Sequence, residues 1–324
     1  MSTAKIYWRQ ALLGYNIEKS LALPVDRESS SDGMTTGEGL SIEINFTSHI
    51  VEQLVQYASR FNVTLYQVCL TIYYVFLFKL TGGQRDLIVG TVEANRYRPE
   101  LQQIIGMFVN TLPMRLQVDP QDTFKQLLRR VSNMMCEVQP HSSLPYQYII
   151  QQISMGRAHQ GNLIRTMFTL DEVDTTLVRL DYGLMIESWP LSSLKSNSMQ
   201  IGTPKIAAAM FDMTLSLEYR VDKHSLRAEM IVSRDLFDSV TLVKMARQFQ
   251  FTVEKLFSPM PMTMMIIEQS ISDLSLILPE EIADDMQHAQ FPAITGINSI
   301  GITLINNLLS YLWNCVSFYF SSRL

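Results

Sequence analysis

The sequence predicts an α/β fold: a two-layer sandwich of one mixed sheet with helices packed on it. Three observations lead there. Helix-like and strand-like runs are mixed along the chain without a strict βαβ alternation. Alternating runs cluster in the back half, in "LIRTMFTLDEV", "LMIESW", "AAAMFDMTLSLEYRV" and "SLRAEMIVS", as neighbouring strands of one sheet do. The segment "TLYQVCLTIYYVFLFKLTGG" is apolar on almost every side, the pattern of a helix buried in a core. With 324 residues, 47% of them hydrophobic and 18% charged, the chain can bury such a core.

The elements follow in order. "YWRQALLG" is a short amphipathic piece, and residues 27–39 read as an exposed Ser/Gly/Asp-rich loop. "SIEINFTSHIVEQLVQYASRFN" begins with strand alternation and changes to helical spacing at Ile50, Leu54 and Ala58, with Thr47 or Ser48 as N-cap. The buried helix should stop at Gly82-Gly83, and a buried strand, "DLIVGTVEA", should follow it. "NRYRPE" is a charged loop. "DTFKQLLRRVSNMMCEV" is an amphipathic helix starting at Asp122 or Thr123, and "SSLPYQYIIQQI" is a second, with Pro145 in its first turn. A last helix lies in "DSVTLVKMARQFQFTVEKLF". Beyond it, residues 258–288 read as an extended linker ending in acidic residues, and residues 289–324 as an uncharged apolar tail.

Composition removes several function classes. A net charge of −5 gives no general basic field for nucleic acid. Cys69, Cys136 and Cys315 fall in no metal-ligand or disulfide spacing, so no metal site and a reducing, cytoplasmic setting are expected. The N-terminus has no apolar core of a secretory signal. No Gly-x-Ser-x-Gly, phosphate-cradling glycine loop or His-Glu-x-x-His is present.

One stretch is unusual. "IGMFVNTLPMR", residues 105–115, carries strong punctuation inside an apolar run. Gly106 permits a bend or a close backbone approach. Pro113 removes a ladder donor, so an ordinary central strand is excluded. Asn110 and Thr111 would be half-buried and must find hydrogen-bond partners.

This stretch, taken with "YWRQALLG…LPVDR", "DLIVGTVEANRYRPE", "HSSLPYQYII", "FDMTLSLEY" and "SRDLFD" in one succession, resembles the second half of a condensation domain of nonribosomal peptide synthetases. The match runs over residues 7–257, and "DLSLILPEE" looks like the linker that leads to an adenylation domain. The resemblance implies a chloramphenicol-acetyltransferase-like lobe, one of two that face each other around a tunnel. Carrier proteins bring substrates tethered on 4'-phosphopantetheine, and an acceptor amine attacks a donor thioester; no cofactor is bound directly. It further implies that Asn110, Thr111, Pro145 and Tyr146 lie on the substrate side. Gly106, Arg115 and Asp212 are structural anchors by the same comparison.

The family's His-His-x-x-x-Asp-Gly motif belongs to the first lobe and has no counterpart here. His49, His141, His159, His224 and His288 are isolated, and none is followed four residues later by aspartate. No catalytic residue is therefore assigned; Asp212 or Glu218 as a general base is the lesser reading beside a structural carboxylate. Two departures touch the substrate side: "SSLPY" lacks the acidic residue that normally precedes the Pro–aromatic step, and "GRAHQGNLIRTMFTL" keeps Arg157 without its aspartate. The expected partners are carrier proteins, a first lobe and an adenylation domain. A non-catalytic carrier- or partner-binding module is the alternative. Residues 301–324 leave three readings open: a membrane tail anchor or interfacial helix, a helix docked on the domain or a partner, and a non-native terminus. A lobe built to face another should also expose an apolar patch and self-associate.

Overall fold

A computed structural model of the chain describes residues 2–17, 21–28, 35–154, 162–173, 178–179, 185–186, 200–257, 269–279 and 281. Two compact units are distinguished, Met1–Leu276 and Ile277–Leu324. In the second, the Leu278 N–H donates to the Glu281 carboxylate at 2.9 Å. The first holds the sheet, the helices and the site.

The helices start and stop on local chemistry. After α1 (Ser2–Ala11), α2 (Ser48–Phe61) starts at Thr47, whose hydroxyl accepts the Ile50 N–H, and ends on Asn62 in the left-handed region at φ 53°. Capping boxes open α3 (Leu65–Leu80), through Thr64 and Gln67, and α5 (Phe124–Val138), through Thr123 and Gln126. α3 is followed by Gly82 and Gly83 at φ 68° and 98°, a conformation that stops a helix at little steric cost. A single turn, α4 (Pro99–Gln102), interrupts the loop expected at "NRYRPE". α6 (Tyr146–Ser154) and α7 (Ser239–Phe257) complete the set among the described residues.

The strands are β1 (Glu38–Asn45), β2 (Asp86–Glu93), β3 (Asn110–Gln117), β4 (Thr166–Val173), β5 (Val178–Arg179), β6 (Met185–Ile186), β7 (Gln200–Ile201), β8 (Lys205–Ala208), β9 (Met213–Arg220) and β10 (Ser225–Ser233). Eight form one sheet in the order β3-β2-β4-β9-β10-β1-β7, with β8 also paired to β1. β4 runs parallel to β2 and β9, whereas the other pairs are antiparallel. The mixed sheet is therefore as expected. Three boundaries differ. In "LMIESW" the described residues, Met185–Ile186, pair with Val178–Arg179 in a separate ribbon. "AAAMFDMTLSLEYRV" is two strands, because the chain leaves β1 after Ala208 and re-enters between β4 and β10 at Met213. β1 already starts at Glu38, inside the stretch read as loop.

Proline placement explains why β3 is an edge strand. The Val118 N–H donates to the Arg85 carbonyl at 2.7 Å, so alternate residues from Leu116 to Asn110 turn their backbone groups toward β2. Pro113 falls in the other set, and its missing N–H would have faced outward.

α3 is buried nearly all round and is fixed to the sheet by three tyrosines on one face. The Tyr66 hydroxyl bonds the Thr91 hydroxyl on β2, Tyr73 bonds Thr166 on β4, and Tyr74 donates to the Met114 carbonyl on β3 at 2.7 Å. Burial pushes the Tyr66 phenol up to about 12 and holds Tyr73 and Tyr74 well above the usual range. Cys69, buried in the same helix, is pushed up to about 12 and stays an unreactive thiol.

Residues 258–268, inside the expected linker, lie outside the described residues, as do 282–324 with the expected apolar tail. Residues 270–274 are fastened to the domain: Ser270 bridges Thr123, the Ile271 N–H donates to the Asp122 carbonyl at 2.8 Å, and Lys79 Nζ donates to the Ser272 carbonyl at 2.6 Å. Ile271 is fully buried. Among the described residues no single helix is long and apolar enough to cross a membrane.

Candidate functional site

β3 starts at Asn110, whose side chain reaches the turn before α6. Its Nδ2 donates to the carbonyls of Ser142 and Leu144 at 2.7 and 2.8 Å, and its Oδ1 accepts the Tyr146 N–H at 3.1 Å. The amide has two donors and one acceptor atom, and all three are engaged by backbone groups. Asn110 thus acts as an N-cap supplied from a neighbouring strand. Pro145 and Tyr146 are brought directly to it, Pro145 exposed and Tyr146 half-buried. Burial pushes the Tyr146 phenol up to about 12, against a hydrogen bond with the Ile164 backbone.

Thr111 pairs with Val92 in the ladder, and its side chain has no hydrogen-bond partner among the described residues. Gly106 has neither a left-handed φ nor a close backbone neighbour, since an added Cβ would meet only the Phe108 ring at 3.4 Å. What is held there is its carbonyl, which accepts from Arg96 Nη2 at 2.8 Å.

Arg115 lies on the face of β3 away from α3. It pairs bidentately with Asp86 on β2, both contacts at 2.8 Å, and its Nη1 donates to the Ala11 and Leu13 carbonyls at 3.2 and 2.7 Å. One guanidinium joins two strands and caps the C-terminus of α1. Asp212 is ion-paired with Arg165 Nε, and Arg165 Nη1 donates to the Leu21 carbonyl at 3.0 Å. Glu218 accepts from Arg220 Nε at 2.7 Å and lies 3.7 Å from Arg227. Each of the two carboxylates weighed as a base is thus held in an ion pair.

The described histidines, His49, His141 and His224, form no cluster. His49 and His224 are exposed, whereas His141 stacks on Tyr7 with ring centroids 4.3 Å apart while its carbonyl accepts the Trp8 indole N–H at 3.0 Å. His159, His288, Arg157 and Cys315 lie outside the described residues. Among the described residues no group of His, Cys, Asp or Glu could hold a metal.

Beside the Asn110 clamp, residues 94–109 expose Tyr97, Ile104, Ile105, Met107 and Val109, with Ile105 at 101% and Met107 at 89% exposure. Sequence reading passed over this loop's organisers, Asn95 and Arg96, because an Asn-Arg pair in a charged stretch looks the same as a solvated turn. The one available sign was Asn95, a residue type that tolerates the left-handed conformation it adopts at φ 53°.

The chain is similar to known proteins. A family model described as the condensation domain matches residues 1–275. Surfactin synthase subunit 1 of Bacillus subtilis is 30% identical over 251 residues, 77% of this chain and 6% of that protein. Malpibaldin synthetase of Mortierella alpina is 27% identical over 240 residues, 74% of this chain and 4% of that one. The chain therefore spans only a small part of these relatives. A solved four-domain nonribosomal peptide synthetase bound to AMP and glycine superposes with a TM-score of 0.66 at 18% identity, over 86% of this chain and 20% of that one. The X-domain from teicoplanin biosynthesis gives 0.65 at 18% identity, over 86% of this chain and 57% of its own. The structural likeness establishes the chloramphenicol-acetyltransferase-like fold, and the family-model match establishes kinship: this chain belongs to the condensation-domain family.

Proposed function

We propose that this chain is the second lobe of a condensation domain, one wall of a chamber in which carrier-tethered thioesters are joined by an amide bond. The observation that carries this reading is the exposed apolar loop of residues 97–109 beside the Asn110 clamp. A surface of that kind suits a facing lobe better than water. The chain's span of 57% of the X-domain structure fits the same reading.

In the reaction, the acceptor amine attacks the donor carbonyl. A C–N bond forms, the C–S bond breaks, and the amine proton goes to the departing pantetheine thiolate. Tethering both reactants supplies several kcal/mol, on the order of the effective-molarity gain of an intramolecular reaction. The imidazole that positions or deprotonates the amine comes from a first lobe, on the same or another polypeptide. This lobe contributes the Thr111 hydroxyl and the Pro145–Tyr146 step to the substrate side, and an adenylation domain is the expected downstream neighbour. Residues 1–324 alone do no chemistry, in a cytoplasmic setting.

Donor- and acceptor-loaded carrier proteins, mixed with this chain with and without a first-lobe polypeptide, test the reading. Amide is expected only when both lobes are present. Amide from this chain alone, or none with both lobes, overturns it.

A second reading, a carrier- or partner-binding module without chemistry, is favoured by one departure: "SSLPY" lacks the acidic residue that normally precedes the Pro–aromatic step. Carrier binding seen by NMR without amide formation in the two-lobe mixture would select it.

A further inference from the structure

The loop between β2 and β3 presents large apolar side chains to water without a core beneath them. Such a segment should fray, yet one guanidinium holds its shape. Arg96 Nη1 donates to the carbonyls of Leu101 and Ile104, the latter at 2.8 Å, and Nη2 donates to the Gly106 carbonyl at 2.8 Å. Its guanidinium also lies over the Phe108 ring, 4.6 Å from the centroid. Among the described residues Arg96 has no carboxylate partner, so this is not a surface ion pair. Next to it, Asn95 Nδ2 donates to the Phe108 carbonyl at 3.0 Å, and its Oδ1 accepts from the Ser142 hydroxyl at 3.4 Å. Because the Ser142 carbonyl accepts from Asn110, the loop and the clamp form one connected network.

We propose that Arg96 is a positioning residue: it moulds residues 101–108 into the rigid apolar surface that meets the facing lobe. That surface's role rests on the second-lobe reading; the moulding does not. The chemistry needs arginine. A planar fork serves three carbonyls at once and stacks on a ring, whereas a lysine ammonium is a point charge without a flat face. Preorganisation matters because a loop that must be ordered on docking weakens association.

The test uses the full chain and its Arg96→Lys and Arg96→Gln variants. Chymotrypsin cleavage within residues 97–109 reports local opening, thermal unfolding reports the whole domain, and binding of a first-lobe polypeptide reports docking. Both variants are expected to be cleaved in the loop about tenfold faster while Tm stays within about 2 °C of the parent, and to bind the first lobe about tenfold more weakly. Phe108→Leu, which removes the stacking face, should accelerate cleavage after Tyr97 to a lesser degree. Wild-type loop cleavage in Arg96→Lys overturns the proposal. So does a fall in Tm with equal acceleration at all sites, which would make Arg96 an ordinary stability residue. If the parent chain fails to bind a first lobe, the second-lobe reading falls, and the cleavage arm still decides what Arg96 does.

Discussion

Asn110 and Tyr146 are 36 residues apart, yet the Asn110 Oδ1 accepts the Tyr146 N–H at 3.1 Å and supplies the first turn of α6 with a cap it lacks locally. Asn110→Ala would strand one N–H and two carbonyls in a half-buried turn. A loss of about 2 kcal/mol is expected, since each unmet group costs on the order of 1 kcal/mol after partial solvation. Asn110→Asp should be no better, because the carboxylate retains the acceptor but points charge at the Ser142 and Leu144 carbonyls. Urea denaturation checks both; a change below about 0.5 kcal/mol in Asn110→Ala would contradict the cap.

Arg115 and Asp86 form the second fixed point. Arg115→Ala removes a bidentate pair and two carbonyl bonds at the end of α1, so a loss of about 2–3 kcal/mol is expected, with Asp86→Ala costing less because Arg115 keeps its carbonyls. Arg115→Lys should recover only part of it, as lysine cannot make the fork. Equal losses in Asp86→Ala and Arg115→Ala would mean that the α1 contacts contribute nothing.

Gly90 is set by close approach rather than by backbone conformation. A Cβ there would lie 2.5 Å from Ile164 Cγ2. Gly90→Ala should cost about 1–3 kcal/mol through overpacking. Removing the opposing Cγ2 in Gly90→Ala/Ile164→Ala should make the pair cost less than the sum of the single changes, and strictly additive costs in the double mutant would refute the contact.

Buried tyrosines set an alkaline limit. Burial raises Tyr57, Tyr66 and Tyr146 to about 12 from an ordinary value of 10.0. The unfolded chain therefore releases these protons first. Their contribution is complete below pH 10 and is lost as pH rises through about 12, so the domain should unfold between the two values. Absorbance at 295 nm and far-UV circular dichroism followed together provide the check. Phenol ionisation complete while the helices persist would show that these hydroxyls are not sequestered.

The exposed loop should make the protein self-associate in isolation. Concentration-dependent self-association in sedimentation is expected for the parent, and Ile105→Glu with Met107→Glu should reduce it. A parent that stays monomeric would count against the apolar loop as a contact surface.

Much of the architecture lies in local chemistry and is legible without coordinates. Thr47 and Thr123 set helix starts because a hydroxyl can reach an N–H three residues ahead. The all-round apolar face of α3 requires burial, and Pro113 excludes β3 from the sheet interior. Legibility ends where a residue's partner lies far along the chain. Asn110 shows only that a half-buried amide needs partners; that they are the carbonyls of residues 142 and 144 follows from the docking of α6 against β3. Arg96 and Arg115 look alike as letters. One moulds a loop through three carbonyls, and the other joins two strands to a helix end. "AAAMFDMTLSLEYRV" alternates throughout, yet it is two strands, because alternation reports which face a residue takes and not which neighbour it pairs with. By itself the sequence determined the layers, the helix ends and the family's ordered motifs, all of which depend on contacts a few residues apart. Only the tertiary structure decided strand order, the clamps and the exposed loop, because distant hydrogen-bond partners and burial arise when the sheet and its helices pack.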